Sequence, residues 1–188
     1  EIIARARAIG RTQDLRRADN KYARLLEMFR HHFSQSPTEK VILFASFKAT
    51  LRYLSKRLSA DGIPNVLLTG DSGVQKASII DAFAQRKDGA VLLASEVASE
   101  GVDLQFSRVL VNYDLPWNPM RVEQRIGRID RIGQRSDRIT IWNLFYAGTI
   151  DERIHDRLYM RLGVFERTLG GLEQILGDEI RKLTVDLL

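Results

Sequence analysis

Residues 124–134 read Q-R-I-G-R-I-D-R-I-G-Q, with Arg125, Arg128 and Arg131 at three-residue steps and glycines at Gly127 and Gly133. Arg121, Arg135 and Arg138 extend the series on either side. On one continuous helix these guanidinium groups would crowd near a single face and repel one another. The two glycines make such a helix unfavourable in any case. Rigid forks of positive charge, held where a backbone turns, suit phosphate above other anions. The competing reading is a solvated basic face. Taken alone, the segment could grip a nucleic-acid backbone as readily as a nucleotide.

The elements that must position it follow an alternating rhythm. Val41–Ala45 and Ala90–Ala94 are continuous apolar runs of strand length, the pattern of strands buried on both faces. Val66–Leu68 and Val109–Val111 read as two more strands, and Ile139–Phe145 alternates as a strand with one face less buried. Leu51, Leu54 and Leu58 recur at helical spacing up to the stop at Asp61-Gly62, and Ile79, Ile80 and Phe83 mark another helix. Strands and helices taking turns predict an α/β fold, a mostly parallel central sheet flanked by helices. In such sheets function collects beyond the carboxyl ends of the strands. The polar loops stand there: Ser46-Phe47-Lys48, residues 69–72, residues 95–103 and residues 112–119, with the arginine segment leading into the last strand.

Helical extensions flank this alternation. Ala18, Tyr22, Leu25 or Leu26, Phe29 and Phe33 form an amphipathic stripe behind a start at Asp19 or Asn20, ending in a loop at residues 34–38. In the tail, apolar residues from Ile150 to Leu187 step by three or four, behind a capping box at residues 149–152. Glycines at 163, 170, 171 and 177 allow one bent helix or two or three in sequence. The expected division is 1–35, a helical lead-in from a preceding lobe; 36–148, the sheet lobe; and 149–188, a helical extension whose stripe offers a surface to another protein or domain.

The chain of 188 residues carries a net charge of +5, with 44% hydrophobic and 28% charged residues. That composition is ordinary for a soluble globular protein and permits an anionic partner. Residues 1–24 hold seven basic and three acidic side chains, residues 150–188 six basic and eight acidic, so the positive field lies in the first two thirds. The absence of cysteine excludes disulfides and thiolate metal sites. No apolar run approaches a membrane span, and no signal peptide is legible. Glu1 in place of methionine suggests a piece of a longer chain.

Five stretches, in order, carry a resemblance: V-I-L-F-A-S-F, L-T-G-D-S, A-S-E-V-A-S-E-G-V-D-L-Q, N-Y-D-L-P-W-N-P and E-Q-R-I-G-R-I-D-R-I-G-Q. Together they resemble the second, C-terminal RecA-like lobe of Swi/Snf-type ATPases in helicase superfamily two. The run S-E-G-V-D-L-Q-F with D-L-P-W-N-P is similar to the bacterial RapA-like branch, and G-T-I-D-E-R-I to the brace helix that follows the last motif. The resemblance spans roughly residues 18–165. It implies half of an ATP clamp, closed by a preceding lobe that holds most of the nucleotide and its Mg²⁺.

On that resemblance Arg128 and Arg131 match arginine fingers and Gln124 a polar residue near the γ-phosphate or attacking water. Gly101 and Asp103 match the part of the motif that approaches nucleotide, Asp103 being the candidate for the ribose hydroxyls. Arg125 is expected to brace the motif through carboxylates, with Glu123 and Asp130 as candidates. Ser46, Lys48, Gly70, Ser95 and Glu96 match positions along a DNA strand. Trp117 and Asn118 resemble an element near DNA and the interlobe seam, against the alternative that Trp117 is a packed core ring. The second loop departs from the pattern: Ala77 stands where relatives carry arginine, with Lys76 as its substitute.

Other signals fall away. Asp151-Glu-Arg-Ile-His155 spells a D-E-x-H box but opens an amphipathic helix instead of ending a strand, and the three histidines lack partners at metal-ligand spacing. No G-K followed by Ser or Thr occurs, hence no Walker loop. The expectation is therefore a C-terminal motor lobe acting on double-stranded DNA, bacterial, cytoplasmic and nucleoid-associated, without membrane partners and inactive by itself. A strand-separating RNA or DNA helicase lobe and a non-catalytic nucleic-acid or partner binding module are the alternatives.

Overall fold

Apolar runs without alternation need cover on both faces, and the structure supplies it. It is a computed structural model that describes residues 19–70, 75–130, 134, 136 and 138–169. In chain order the elements are α1 (Asn20–Gln35), β1 (Lys40–Phe44), α2 (Lys48–Ala60), β2 (Asn65–Leu68), α3 (Lys76–Ala84), β3 (Ala90–Ala94), α4 (Glu96–Ser99), β4 (Val109–Asn112), α5 (Pro119–Ile126), β5 (Thr140–Asn143) and α6 (Ile150–Leu169). The strands form one sheet in the order β2-β3-β1-β4-β5, and all four pairings are parallel.

Every residue of β1 and β3 is buried, as expected of central strands. Successive side chains alternate between faces. Val41 and Leu43 join Val91, Leu93, Val109 and Val111 in one core, closed by Tyr22, Leu25 and Phe29 of α1 and by Leu51, Leu54 and Leu58 of α2. Ile42 and Phe44 join Leu92, Ala94 and Leu110 in the other, closed by Ile80 and Phe83 of α3 and by Ala98, Leu104 and Ile129. The two apolar runs thus read as strands because each contributes to both cores. The arginine segment takes part through Ile129, which is 0% exposed.

Local chemistry fixes the ends of the elements. Asp19 caps α1 by accepting from the Tyr22 N–H at 3.0 Å, as its position before the apolar stripe predicts. At the start of α6 the Asp151 N–H donates to Thr149 Oγ1 (3.2 Å), while Glu152 Oε2 accepts from the Gly148 N–H (2.7 Å), one residue earlier than the standard reciprocal box. Helix α6 passes through Gly163 to Leu169; the stripe from residue 170 onward lies outside the described residues, as do residues 1–18 of the expected helical lead-in. Among the described residues no helix is long and apolar enough to cross a membrane.

Gly89 marks the tightest backbone approach. A Cβ there would stand 2.7 Å from Phe33 Cδ1 and 2.8 Å from the Pro37 carbonyl oxygen, to which the Gly89 N–H already donates at 2.6 Å. Gly89→Ala must therefore push α1 or the loop after it aside. The expected result is a loss of about 1–3 kcal/mol in unfolding free energy, read from the urea midpoint at unchanged slope.

Candidate phosphate-binding site

Strand order decides which loops meet. β1 lies between β3 and β4, so the segments leaving the carboxyl ends of these three central strands are neighbours. The first carries Ser46 and Lys48, the second α4, and the third Asp114, Trp117 and α5. Helix α5 starts cleanly, with Asn118 Oδ1 accepting from the Met120 N–H (3.0 Å) and Pro119 in the first turn. It stops at Gly127, whose N–H donates to the Glu123 carbonyl at 2.8 Å. The break expected from the glycine is therefore present. Arg121 and Arg125 lie on the helix and Arg128 lies past its end.

The arginines then separate by environment. Arg121 Nη1 reaches Glu96 Oε2 at 3.0 Å on the surface. Arg125 is 2% exposed and makes four hydrogen bonds. Its Nε and Nη2 donate to Glu96 Oε1 (3.0 and 2.7 Å), and its Nη1 to Asn112 Oδ1 (2.8 Å) and the Asp114 carbonyl (2.9 Å). Arg125 Nη2 lies 3.6 Å from Asp114 Oδ1. Its bracing role holds, but the partners differ from expectation. Glu123 and Asp130 are close in sequence, whereas the carboxylates that meet a side chain pointing into the sheet edge come from the β3 and β4 loops. Arg128 is different again. Among the described residues it makes no ion pair, and it lines a cleft of about 160 Å³ together with Glu96, Val97, Ser99, Glu100, Arg121, Gln124 and Arg125. Its backbone is held: the N–H donates to the Arg125 carbonyl (3.2 Å), and the carbonyl accepts from the Leu104 N–H (3.1 Å). Gln134 Nε2 fastens the far end of the segment to the carbonyls of Ser107 and Ile129. Arg131 lies outside the described residues.

The remaining expected site residues fall into two groups. Gln124 is exposed on the same cleft as Arg128. Gly101 has φ +75 with no atom near its missing Cβ, and exposed Asp103 folds back on the Gln105 N–H (3.4 Å). The Leu104–Arg128 bond brings Asp103 beside the arginine turn. On the other side, Ser46 and Lys48 are exposed before and at the start of α2, and a Cβ added at Gly70 would stand an ordinary 3.8 Å from Val97 Cγ1. Lys76 Nζ donates to the Val97 carbonyl (3.3 Å), so it fastens two loops together. Ser95 is buried, and its hydroxyl caps α4 by accepting from the Ala98 N–H. The Glu96 carboxylate is committed to Arg121 and Arg125. Trp117 is 72% exposed, which removes the packed-core alternative for it.

Asp114 and Asn112 were not foreseen. Asp114 accepts from the Ser46 N–H with both carboxylate oxygens (3.0 and 2.9 Å) and from the Ser46 hydroxyl (2.8 Å). Asn112, 0% exposed, donates to Asn143 Oδ1 across β4 and β5 while accepting from Arg125. The one signal in the sequence was a polar pair flanking Tyr113 directly after an apolar strand. Behind the site, Lys21 of α1 is buried with its ammonium 4.9 Å from the Tyr113 ring and 5.4 Å from the Tyr146 ring. Burial pulls its pKa down, opposed by Asp151, Asp114 and Asp19, and burial pushes the Tyr113 phenol up. Lys21 so joins α1 to the ends of β4 and β5.

Comparison with known proteins agrees with the fold that carries this site. The family described as helicase conserved C-terminal domain matches residues 20–133. YqhH of Bacillus subtilis (strain 168), described as an uncharacterized ATP-dependent helicase, is 43% identical over 139 residues, covering 73% of this chain and 24% of that protein. The chain thus spans about a quarter of that relative's length. Among solved structures, the C-terminal part of the Fun30 ATPase domain is similar with a TM-score of 0.67 at 27% identity, covering 72% of this chain and 44% of the other. The Pyrococcus furiosus Hef helicase domain is similar with a TM-score of 0.59 at 27% identity, covering 73% and 28%.

Proposed function

The chain belongs to the family of the helicase conserved C-terminal domain, and from that premise we propose that it is the second motor lobe of an ATP-dependent translocase on double-stranded DNA, Swi/Snf-type and RapA-like in its motifs. The observation that carries this reading is the sorting of the arginines. Two neighbours of Arg128 are paired with carboxylates, while Arg128 itself makes no ion pair among the described residues and lines an open cleft from a turn held by backbone hydrogen bonds. A guanidinium so placed serves the charge that gathers on a transferring γ-phosphoryl group.

The cleft is too small to enclose a nucleotide, and the sequence carries no Walker loop, so the site is half of one. Its described residues suit a phosphate approached from outside: Arg128 as a finger, Gln124 toward the attacking water, Gly101 and Asp103 toward the ribose; Arg131, outside the described residues, would be the second finger by its place in the motif. The preceding lobe of the same protein would hold the rest of ATP and the Mg²⁺. Among the described residues no group of three His, Asp or Glu side chains is placed to hold a metal, and no step here is routed through one. The loops with Ser46, Lys48, Gly70, Ser95, Glu96, Trp117 and Asn118 would follow the phosphodiester strand, setting register without reading bases. Cycles of lobe closure would then move the protein along duplex DNA in a bacterial cytoplasm, on the nucleoid.

The test is ATP turnover by the protein carrying both lobes, with duplex DNA, single-stranded DNA or RNA added at one salt concentration. Duplex DNA is expected to stimulate most, and this chain alone to turn over no ATP. Equal or greater stimulation by RNA would favour a strand-separating RNA helicase, and no stimulation by any nucleic acid would leave a binding module.

A further inference from the structure

The donors expected to hold a DNA phosphate at Ser46 are already occupied. Its N–H and hydroxyl both point at the Asp114 carboxylate, at 2.8–3.0 Å, across loops 68 residues apart in sequence. A converging N–H and O–H pair is what an anionic oxygen of either kind requires. Asp114 therefore stands where a phosphate would stand. Its second possible partner is close: Oδ1 lies 3.6 Å from Arg125 Nη2, beyond a hydrogen bond but less than 1 Å from the distance of one. Arg125 in turn is fixed to Glu96 and passes directly into the arginine turn, where the Arg128 N–H donates to its carbonyl.

We propose that Asp114 is the positioning residue that couples strand binding to the arginine turn, by exchanging Ser46 for Arg125 when a phosphodiester takes its place. The inference rests on the motor-lobe reading above. In the free protein the carboxylate occupies the N–H and hydroxyl of Ser46 and competes with nucleic acid for them. On duplex DNA the phosphate displaces it, and the released carboxylate closes on Arg125, shifting the turn after α5 that carries Arg128. No bond is made or broken; a single carboxylate changes partners. Two discrete arrangements of one side chain, each favoured by one ligation state, are what coupling between two sites requires.

The experiment uses the two-lobed protein and Asp114→Asn, checked by thermal melting. Without nucleotide, duplex DNA should bind Asp114→Asn about 2- to 10-fold more tightly, since a competing charged acceptor is gone. The ratio of DNA-stimulated to basal turnover should fall about fivefold or more. Asp114→Glu, which keeps the charge, should recover more of that ratio than Asn does. A merely structural Asp114 predicts the opposite: weaker binding, an unchanged ratio, and Glu worse than Asn. Either an unchanged ratio or weaker binding overturns the proposal. Should Asp114→Asn not fold, hydrogen exchange in the wild-type protein decides: duplex DNA must alter exchange at the amides of 125–130, and unaltered rates there overturn it. If wild type is stimulated by no nucleic acid, the motor reading itself fails; if wild type is stimulated and Asp114→Asn equally so, only the coupling does.

Discussion

Replacing Arg128 with alanine lowers the maximal ATP turnover of the two-lobed protein by roughly 10³-fold or more, with ATP binding largely kept. The size of the effect follows from where the side chain is used. Ground-state nucleotide would be held by the preceding lobe, so loss of Arg128 removes an interaction that strengthens only as charge moves onto the γ-phosphoryl oxygens. Preorganisation adds to it: the Arg128 backbone is held from both sides, by Arg125 and by Leu104, and its neighbour Ile129 is 0% exposed in the sheet core. Single-turnover kinetics beside a nucleotide-binding titration separate the two quantities. A Kd that rises as far as turnover falls would mean that Arg128 only binds ATP. Turnover near wild type would remove the finger assignment.

Arg125→Ala has the second large effect, and it acts on stability. With the guanidinium gone, Glu96 loses its buried partner and Asn112, 0% exposed, loses a donor in the interior. Breaking such a pair by removing one member costs about 3–5 kcal/mol. Arg121→Ala is the matched control, since its contact to the same Glu96 is on the surface and is worth no more than about 1 kcal/mol. Urea unfolding of both variants measures the difference. Equal effects would mean that burial of Arg125 contributes nothing.

The contrast between these residues shows what the sequence could reveal. β1 and β3 were legible because burial on both faces writes itself as unbroken apolar runs, and α1 and α2 because one-sided burial writes itself at helical spacing. The interruption of the arginine segment was legible in Gly127. The partners of Arg125 were not. A carboxylate two or five residues away in sequence is the natural guess, yet Glu96 and Asp114 arrive from loops that only the order β3-β1-β4 makes adjacent. The same reason hid Asp114 on Ser46. At Ser95 the hydroxyl turns inward to cap α4, a local choice the motif does not reveal.

The order of the sheet also bears on how the molecule comes to exist. β1 is the middle strand, but β2, which follows it in sequence, is not its neighbour; its partners are β3 and β4. During synthesis the run Lys40–Phe44 therefore waits, apolar and unpaired on both edges, until α2, β2 and α3 have been made. Long-range pairing of this kind is slow, and an exposed apolar strand is open to association meanwhile. Chains cut short before Ala90 should accumulate as aggregates, whereas those reaching past Asn112 already hold every partner of the central strand.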